Sequence, residues 1–327
     1  MEFIRKEILL NKLIIIDGIG RSGKSLLSDI IGSFDAVEKQ DYNPFLEYIA
    51  LAYKYNKISA DMAISILQTE MDSALYKNMV GRQVNTRLTD GTSLYRYHSP
   101  EKYLRRMIDG EGPMIHGKVL KEKPIYLNWS HDLINKSDIV FEAYGKHLEF
   151  VYLNRRPVDM IYEWDDVSYS ERMSKDPTEM QYCIKYKDMA VPEVALGWEE
   201  EYLSCKPIER AVKMIYTYFK LNHTALMAKQ SYQNLHIISF EDLLTNPNKE
   251  IERLKVITGN QPLPAMKKIL DQANCPRAID EEAFLEREAA IKSRVADSYL
   301  LLLQEMDGMY AEIKLLSVKR NTVMERV

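Results

Sequence analysis

Residues 12–34 read Lys12-Leu-Ile-Ile-Ile-Asp17-Gly18-Ile-Gly20-Arg21-Ser22-Gly23-Lys24-Ser25-Leu26-Leu-Ser-Asp-Ile-Ile-Gly-Ser-Phe34. An apolar run, Leu13–Ile16, leads into Gly18-Ile-Gly-Arg-Ser-Gly23-Lys24-Ser25, and an amphipathic segment of helical period follows. The pattern G-x-x-x-x-G-K-[ST] between a strand and a helix is a phosphate-binding loop. Its glycines let successive N–H groups turn inward. The following helix adds partial positive charge at its N-terminus, and Lys24 reaches the outer phosphate oxygens. A glycine-rich turn entering a helix is the plainer reading, and the flanking segments weigh against it. The stretch predicts that this chain binds a phosphorylated nucleotide.

The rest of the chain is ordinary in bulk. It has 327 residues, 46% apolar and 28% charged, enough for one substantial core with an elaborate subdomain. A formal net charge of −4 argues against a general nucleic-acid binder. Three cysteines, Cys183, Cys205 and Cys275, lack metal-ligand spacing and predict no metal site. They read as reduced, mostly buried thiols of a cytoplasmic protein. The first twenty residues do not read as a secretory signal, and no apolar stretch is long enough to span a bilayer.

Further along, Ala36–Gln40 reads as a short second strand. Residues 43–110 read as wholly helical, with starts at Pro44, at Ser59-Ala-Asp and at Ser99-Pro100, the last helix stopping at Gly110. Strands return at Pro124–Trp129, Leu148–Leu153 and Leu235–Phe240, with helices ending near Gly145, starting at Pro157, and running from Pro207 to Tyr232. Strands alternating with helices predict an α/β, three-layer fold with a mostly parallel sheet and helices on both faces. Residues 1–327 read as one domain, with a helical insertion over about 43–123 and a helical C-terminal region over about 263–327.

Three separated stretches resemble the sulfotransferase family, whose members move a sulfonate from 3′-phosphoadenosine-5′-phosphosulfate to an acceptor. The first is Arg21-Ser-Gly in the loop, similar to the family's 5′-phosphosulfate loop. The second is Leu148-Glu-Phe-Val-Tyr-Leu-Asn-Arg-Arg-Pro-Val-Asp-Met-Ile, which resembles the 3′-phosphate segment. The third, Ile237-Ile-Ser-Phe-Glu-Asp-Leu-Leu-Thr-Asn-Pro with Glu250-Ile-Glu-Arg-Leu and Ile257-Thr-Gly, resembles a mainly structural segment. Together they cover about residues 12–34 and 124–260. The chain departs from the family at Lys24, where a small hydroxyl residue is usual, and at Glu163, where a serine follows the 3′-phosphate arginine by eight residues.

The resemblance implies a nucleotide held by Gly20, Arg21, Ser22, Gly23, Lys24, Ser25 and Leu26, with Arg155 and Arg156 gripping its 3′-phosphate. Sulfonate transfer is an in-line displacement in which the protein positions and neutralises, and Lys24 suits that task. A hydroxyl acceptor also needs a general base. His131 follows the strand after which cytosolic members keep a histidine. Other members use a glutamate beyond the second strand, where Glu38, Asp41 and Glu47 stand, with Glu38 or Asp41 preferred. Arg155 and Arg156 also suit a solvated basic turn with a partner such as Asp159.

The insertion interleaves Arg82, Arg87, Arg96, Lys102, Arg105 and Arg106 with tyrosines, which suits a sugar, a phosphorylated lipid or an anionic acceptor, or simply a solvated surface. Late basic residues Arg287, Lys292 and Arg294 read as a solvated face. The partners expected are the nucleotide co-substrate and a small-molecule, sugar or lipid acceptor. Two other readings stay open. One is a kinase using Mg-ATP, since Lys24-Ser25 completes a Walker A loop. The other is a nucleotide-binding protein without turnover.

Overall fold

The computed structural model describes residues 1–324, with side chains through residue 320. In chain order the elements are β1 (Lys12–Asp17), α1 (Lys24–Gly32), α2 (Phe45–Lys54), α3 (Ala60–Met79), α4 (Pro100–Arg106), α5 (Pro113–Glu122) and β2 (Ile125–Trp129). Next come α6 (Asp138–Tyr144), β3 (Leu148–Asn154), α7 (Pro157–Asp166), α8 (Tyr169–Arg172), β4 (Cys183–Tyr186), β5 (Met189–Pro192), α9 (Glu199–Ser204) and α10 (Pro207–Ala228). The chain continues with β6 (Leu235–Ser239), α11 (Phe240–Thr245), α12 (Pro247–Thr258), α13 (Ala265–Gln272), α14 (Glu281–Lys292) and α15 (Asp297–Met324). Contacts divide it into two compact units: residues 1–18, 23–153 and 231–277, and residues 19–22, 154–230 and 278 onward.

The first unit holds a four-stranded sheet in the order β2-β1-β3-β6, with β1 parallel to both β2 and β3. Aliphatic residues fill β1 without alternation because both of its faces are covered. On one face Ile14, Ile16, Val151 and Leu153 pack with Leu27 and Ile31 of α1 and Leu254 of α12. Each such fully buried side chain contributes roughly 1.5–3 kcal/mol. On the other face Phe150 stacks on Phe141 of α6, ring centroids 5.4 Å apart. The fold is α/β with a mostly parallel sheet and helices on both faces.

Three local expectations are corrected. Residues 36–40 form no full strand; isolated parallel bridges join Val37 to Ile125 and Asp41 to Asn128 along the edge of β2. The span 43–110 is not wholly helical. Between Met79 and Pro100 there is only a 3₁₀ turn, Leu94–Arg96, and α4 ends at Arg106. Gly81 turns the chain at φ +68° where a Cβ would meet Met107 at 2.8 Å, and Asp90 accepts the Thr92 amide in a tight turn. Finally, Cys183 is exposed, unlike Cys275.

In the second unit α10 packs against α7 and α15. Trp164 of α7 is buried, edge-on to Tyr169 at 4.8 Å and Tyr218 at 6.2 Å. β4 and β5 form an antiparallel hairpin that the sequence did not announce. Its turn residues Lys187 and Asp188 both have positive φ, 45° and 61°, as a type I′ turn requires. No helix among the described residues is long and apolar enough to cross a membrane.

Candidate functional site: the phosphate loop and its buried charges

The strand–loop–helix reading of residues 12–32 is realised in full. At its end Gly23 has φ +96°, and a Cβ there would lie 2.2 Å from the Phe240 ring, so only glycine fits. No side chain caps α1 and no acid stands in its first turn, so the helix's own residues leave its N-terminal partial charge uncompensated. Ser25 is exposed there and Leu26 half-buried. Lys24 is buried, and its Nζ donates to the Gly18 carbonyl oxygen at 2.5 Å. Burial lowers its ammonium from the usual range to about 8, against the opposing pull of Asp17, Glu47 and Asp132.

The first unit gathers charge around that lysine. Asp17, at the end of β1, has no solvent exposure and accepts from Ser130 Oγ and from the amides of Leu133 and Ile134, at 2.8–2.9 Å. Glu47, on the first turn of α2, accepts the His131 amide at 2.7 Å, and its Oε1 lies 3.8 Å from His131 Nδ1. Burial pushes the Glu47 carboxyl up to about 8; Lys136, the His131 amide and Lys24 only partly counter it. His131 sits against Trp129 and Tyr42, with ring centroids 5.2 and 5.3 Å away. Although a third of its side chain still meets solvent, crowding by the protein holds its imidazole well below the ordinary value, and Lys24 and Lys136 push the same way. Asp132 is tied to Lys136 at 3.2 Å and to Asn135 at 2.6 Å.

Glu38 and Asp41 stand in different surroundings. Glu38 is buried and accepts from Arg106 at 2.6 and 3.0 Å, Lys102 at 2.9 Å and Tyr103 at 2.6 Å. Burial alone would raise it, but these partners outweigh that and hold it at about 2. Asp41 accepts from Tyr126 at 2.9 Å and from its neighbour's amide, Tyr42 N, at 2.9 Å. Of the acids named from sequence, the structure therefore brings Glu47 rather than Glu38 or Asp41 to Lys24 and His131. The signal for it was present. Glu47 shares a helical face with Ala50 and Leu51, both buried, so a carboxylate had to turn inward there.

The second unit carries the middle of the loop and the two arginines. Gly20 rests on α7: its carbonyl oxygen accepts from Trp164 Nε1 at 2.9 Å, and a Cβ would come within 3.3 Å of Tyr169. Arg21 takes φ +68° and is exposed. Ser22 is buried, and its Oγ has no hydrogen-bond partner. Arg155 donates to the Arg21 carbonyl oxygen and pairs with Glu163 at 2.7 Å. Glu163, standing at the family's serine position, is thus the counter-ion of the arginine expected to grip phosphate. Arg156 instead forks onto Glu281 and lies over Phe284 at 4.6 Å. Asp159 pairs with Arg287, and Asp165 with Arg294, so two of the late basic residues face α7 acids. Lys292 pairs with Glu288.

A strand, a glycine loop closed by a buried lysine, and a helix N-terminus at the carboxyl end of a parallel sheet define a phosphate-loop α/β protein. No family model and no curated protein matches the chain. Solved structures similar to it include several titled sulfotransferases. The sulfotransferase domain of the Synechococcus PCC 7002 olefin synthase is 12% identical, with 99% of this chain and 98% of that one covered and a TM-score of 0.42. The sulfotransferase domain from the curacin biosynthetic pathway is 14% identical over 79% and 77% of the two chains, TM-score 0.41. A retinol dehydratase in complex with androsterone and inactive cofactor PAP is 11% identical over 92% and 81%, TM-score 0.36. Similarity at this level leaves the chemistry to be argued from residues.

Proposed function

We propose that this chain transfers a sulfonate from 3′-phosphoadenosine-5′-phosphosulfate to a hydroxyl or amine of a small-molecule, sugar or lipid acceptor. The observation that carries the reading is the meeting of Lys24 with a half-buried, under-neutralised Glu47 beside His131. A cation at the loop and a carboxyl titrating near 8 are what displacement at a charged group, with proton removal from the acceptor, requires.

The residues fit the nucleotide. Ser22 Oγ is buried without a partner, and α1 presents an uncapped N-terminus. Gly20, Arg21, Ser22, Gly23, Lys24, Ser25 and Leu26 would hold the 5′-phosphosulfate end, and Arg155 the 3′-phosphate. When bound, the nucleotide supplies an activated sulfonate. Lys24 neutralises charge at the leaving oxygen, and Glu47 takes the acceptor proton, held in place by the His131 amide. Arg156, committed to Glu281, is assigned a structural part, and so is Glu38. Against a magnesium kinase stands the engagement of the acids near the loop. Asp17 is held by two amides and a serine, and Asp132 by Lys136 and Asn135.

The test is transfer of labelled sulfonate from the nucleotide across a panel of phenols, sterols, sugars and amines. The reading expects a sulfated product that disappears with Lys24→Ala. It fails if no acceptor is sulfated while Mg-ATP is consumed in a Lys24-dependent way.

A further inference from the structure

A cavity of about 30 Å³ lies in the first unit, between α1 and the segment from Gly91 to His98. At roughly 10–15 Å³ for each water-sized group, it admits about two such groups. Two polar atoms of its lining residues, Ser28 Oγ and Gln40 Oε1, are buried and have no hydrogen-bond partner. Ser28 is only 2% exposed, and it lies one turn beyond Lys24 on α1. The Gln40 amide is oriented by its own bonds, because Nε2 donates to Asp29 Oδ1 at 3.2 Å and to the Gly91 carbonyl oxygen at 3.0 Å. Its oxygen is therefore left as an open acceptor. Lys39 is committed elsewhere, donating to the Gln40 and Thr92 carbonyl oxygens at 3.0 and 2.7 Å. Asp29 and Arg96 also line the cavity. Burial raises the Asp29 carboxyl to about 6, against the pull of Arg96 and the Gln40 amide, so it is ionised at neutral pH.

What fills this space meets open acceptors and open donors together. A bare anion is opposed by Asp29 and by the Gln40 oxygen, and a bare cation by Arg96 and Lys39. Hydroxyl groups suit both sets: they donate to Asp29 and Gln40, and they accept from Arg96 and Ser28. Tyr97 and His98, with ring centroids 4.2 Å apart, add an aromatic side to the lining, against which the C–H face of a ring carrying those hydroxyls packs. Two neighbouring hydroxyls on such a ring match the two water-sized places. We infer that this cavity binds the vicinal diol of a neutral saccharide. The inference rests on the cavity alone and holds whichever reaction the phosphate loop serves.

Saturation-transfer NMR on the full chain, without nucleotide, tests it by titration with methyl glucoside, inositol and a fully O-methylated glucoside. Binding is expected for the first two and absent for the methylated sugar, which has no hydroxyl to donate. Ser28→Ala and Asp29→Asn keep the shape of the wall, and each should weaken methyl glucoside binding by about fivefold or more, with unchanged circular dichroism. Arg96 is exposed, so Arg96→Gln preserves the fold, and it should weaken binding likewise. Absence of binding by glucoside and inositol, or variants that bind like the parent, would overturn the proposal and leave the cavity to ordered water. Equal binding of the methylated sugar would also overturn it, as would displacement of the glucoside by inorganic phosphate.

Discussion

Two glutamates nine residues apart, Glu38 buried and Glu47 half-buried, show how one chain uses the same side chain in opposite ways. Glu38 is surrounded by Arg106, Lys102 and Tyr103, and its charge is compensated beyond the penalty of burial, so it titrates near 2. Glu47 has one close amide donor and more distant cations, and burial wins, so it titrates near 8. A saturated carboxylate fastens α4 to the sheet edge and has no capacity left for chemistry. An under-neutralised one exchanges a proton near neutral pH, which is what a general base must do. Sequence position alone favoured Glu38 or Asp41, and the partners of each acid instead support the proposal of Glu47.

The comparison breaks most sharply at the loop. Lys24→Ala and Glu47→Gln should each lower turnover by about a hundredfold to ten-thousandfold in the sulfonate-transfer assay, with intact folding by circular dichroism. Glu38→Gln should do the reverse. It leaves Arg106 buried without its charge partner and destabilises the fold by roughly 3–5 kcal/mol in urea titration. Any activity remaining in the folded fraction should match the parent. A stable but inactive Glu38→Gln protein would invert the two roles.

Next in size is the response to pH. The proposed reaction needs Glu47 deprotonated and Lys24 protonated, both near 8, so kcat/KM should trace a narrow bell centred near that pH. Stability follows different rules. The folded protein keeps the Glu47 proton up to about pH 8 while the unfolded chain releases it near 4.5, so this contribution is complete below 4.5 and lost as pH rises through 8. For Glu38 the folded value lies below the unfolded one. Its contribution is complete above about 4.5 and lost as pH falls through 2. Thermal midpoints of Glu47→Gln should therefore lose the decline between pH 4.5 and 8 and keep the acid one.

The smallest expected effect lies in the second unit. Glu163 competes for Arg155, and replacing it with the family's residue, Glu163→Ser, should tighten 3′-phosphoadenosine-5′-phosphate binding by about threefold. Adenosine-5′-phosphosulfate, lacking the 3′-phosphate, should bind unchanged. Equal gains for both nucleotides would remove Arg155 from the 3′-phosphate.

Much of this fold was legible because local and global preferences agree. The apolar runs at 12–17, 125–129, 148–154 and 235–239 are strands buried on both faces, and Pro157, Pro207 and Gly145 mark helix ends where expected. The failures have local physical causes. The hairpin Cys183–Pro192 turns through Lys187-Asp188 rather than Asn-Gly, so its residues gave no turn signal. Residues 80–99 have helix-like spacing in places, but the Gly81 turn and the Asp90–Thr92 bonds hold them out of a helix. At the site, the loop was readable from its letters. The choice among Glu38, Asp41 and Glu47 was not, because it depends on Arg106 and Lys102, more than sixty residues away. The pairing of Arg155 with Glu163 is likewise not legible from their spacing of eight residues.

The most direct test is calorimetric titration of 3′-phosphoadenosine-5′-phosphate into the parent protein and Lys24→Ala, with Mg-ATP as the comparison ligand. The account predicts saturable binding of the bisphosphate by the parent, weaker binding of Mg-ATP, and loss of the bisphosphate signal in Lys24→Ala. Binding of Mg-ATP with no heat from the bisphosphate would contradict it.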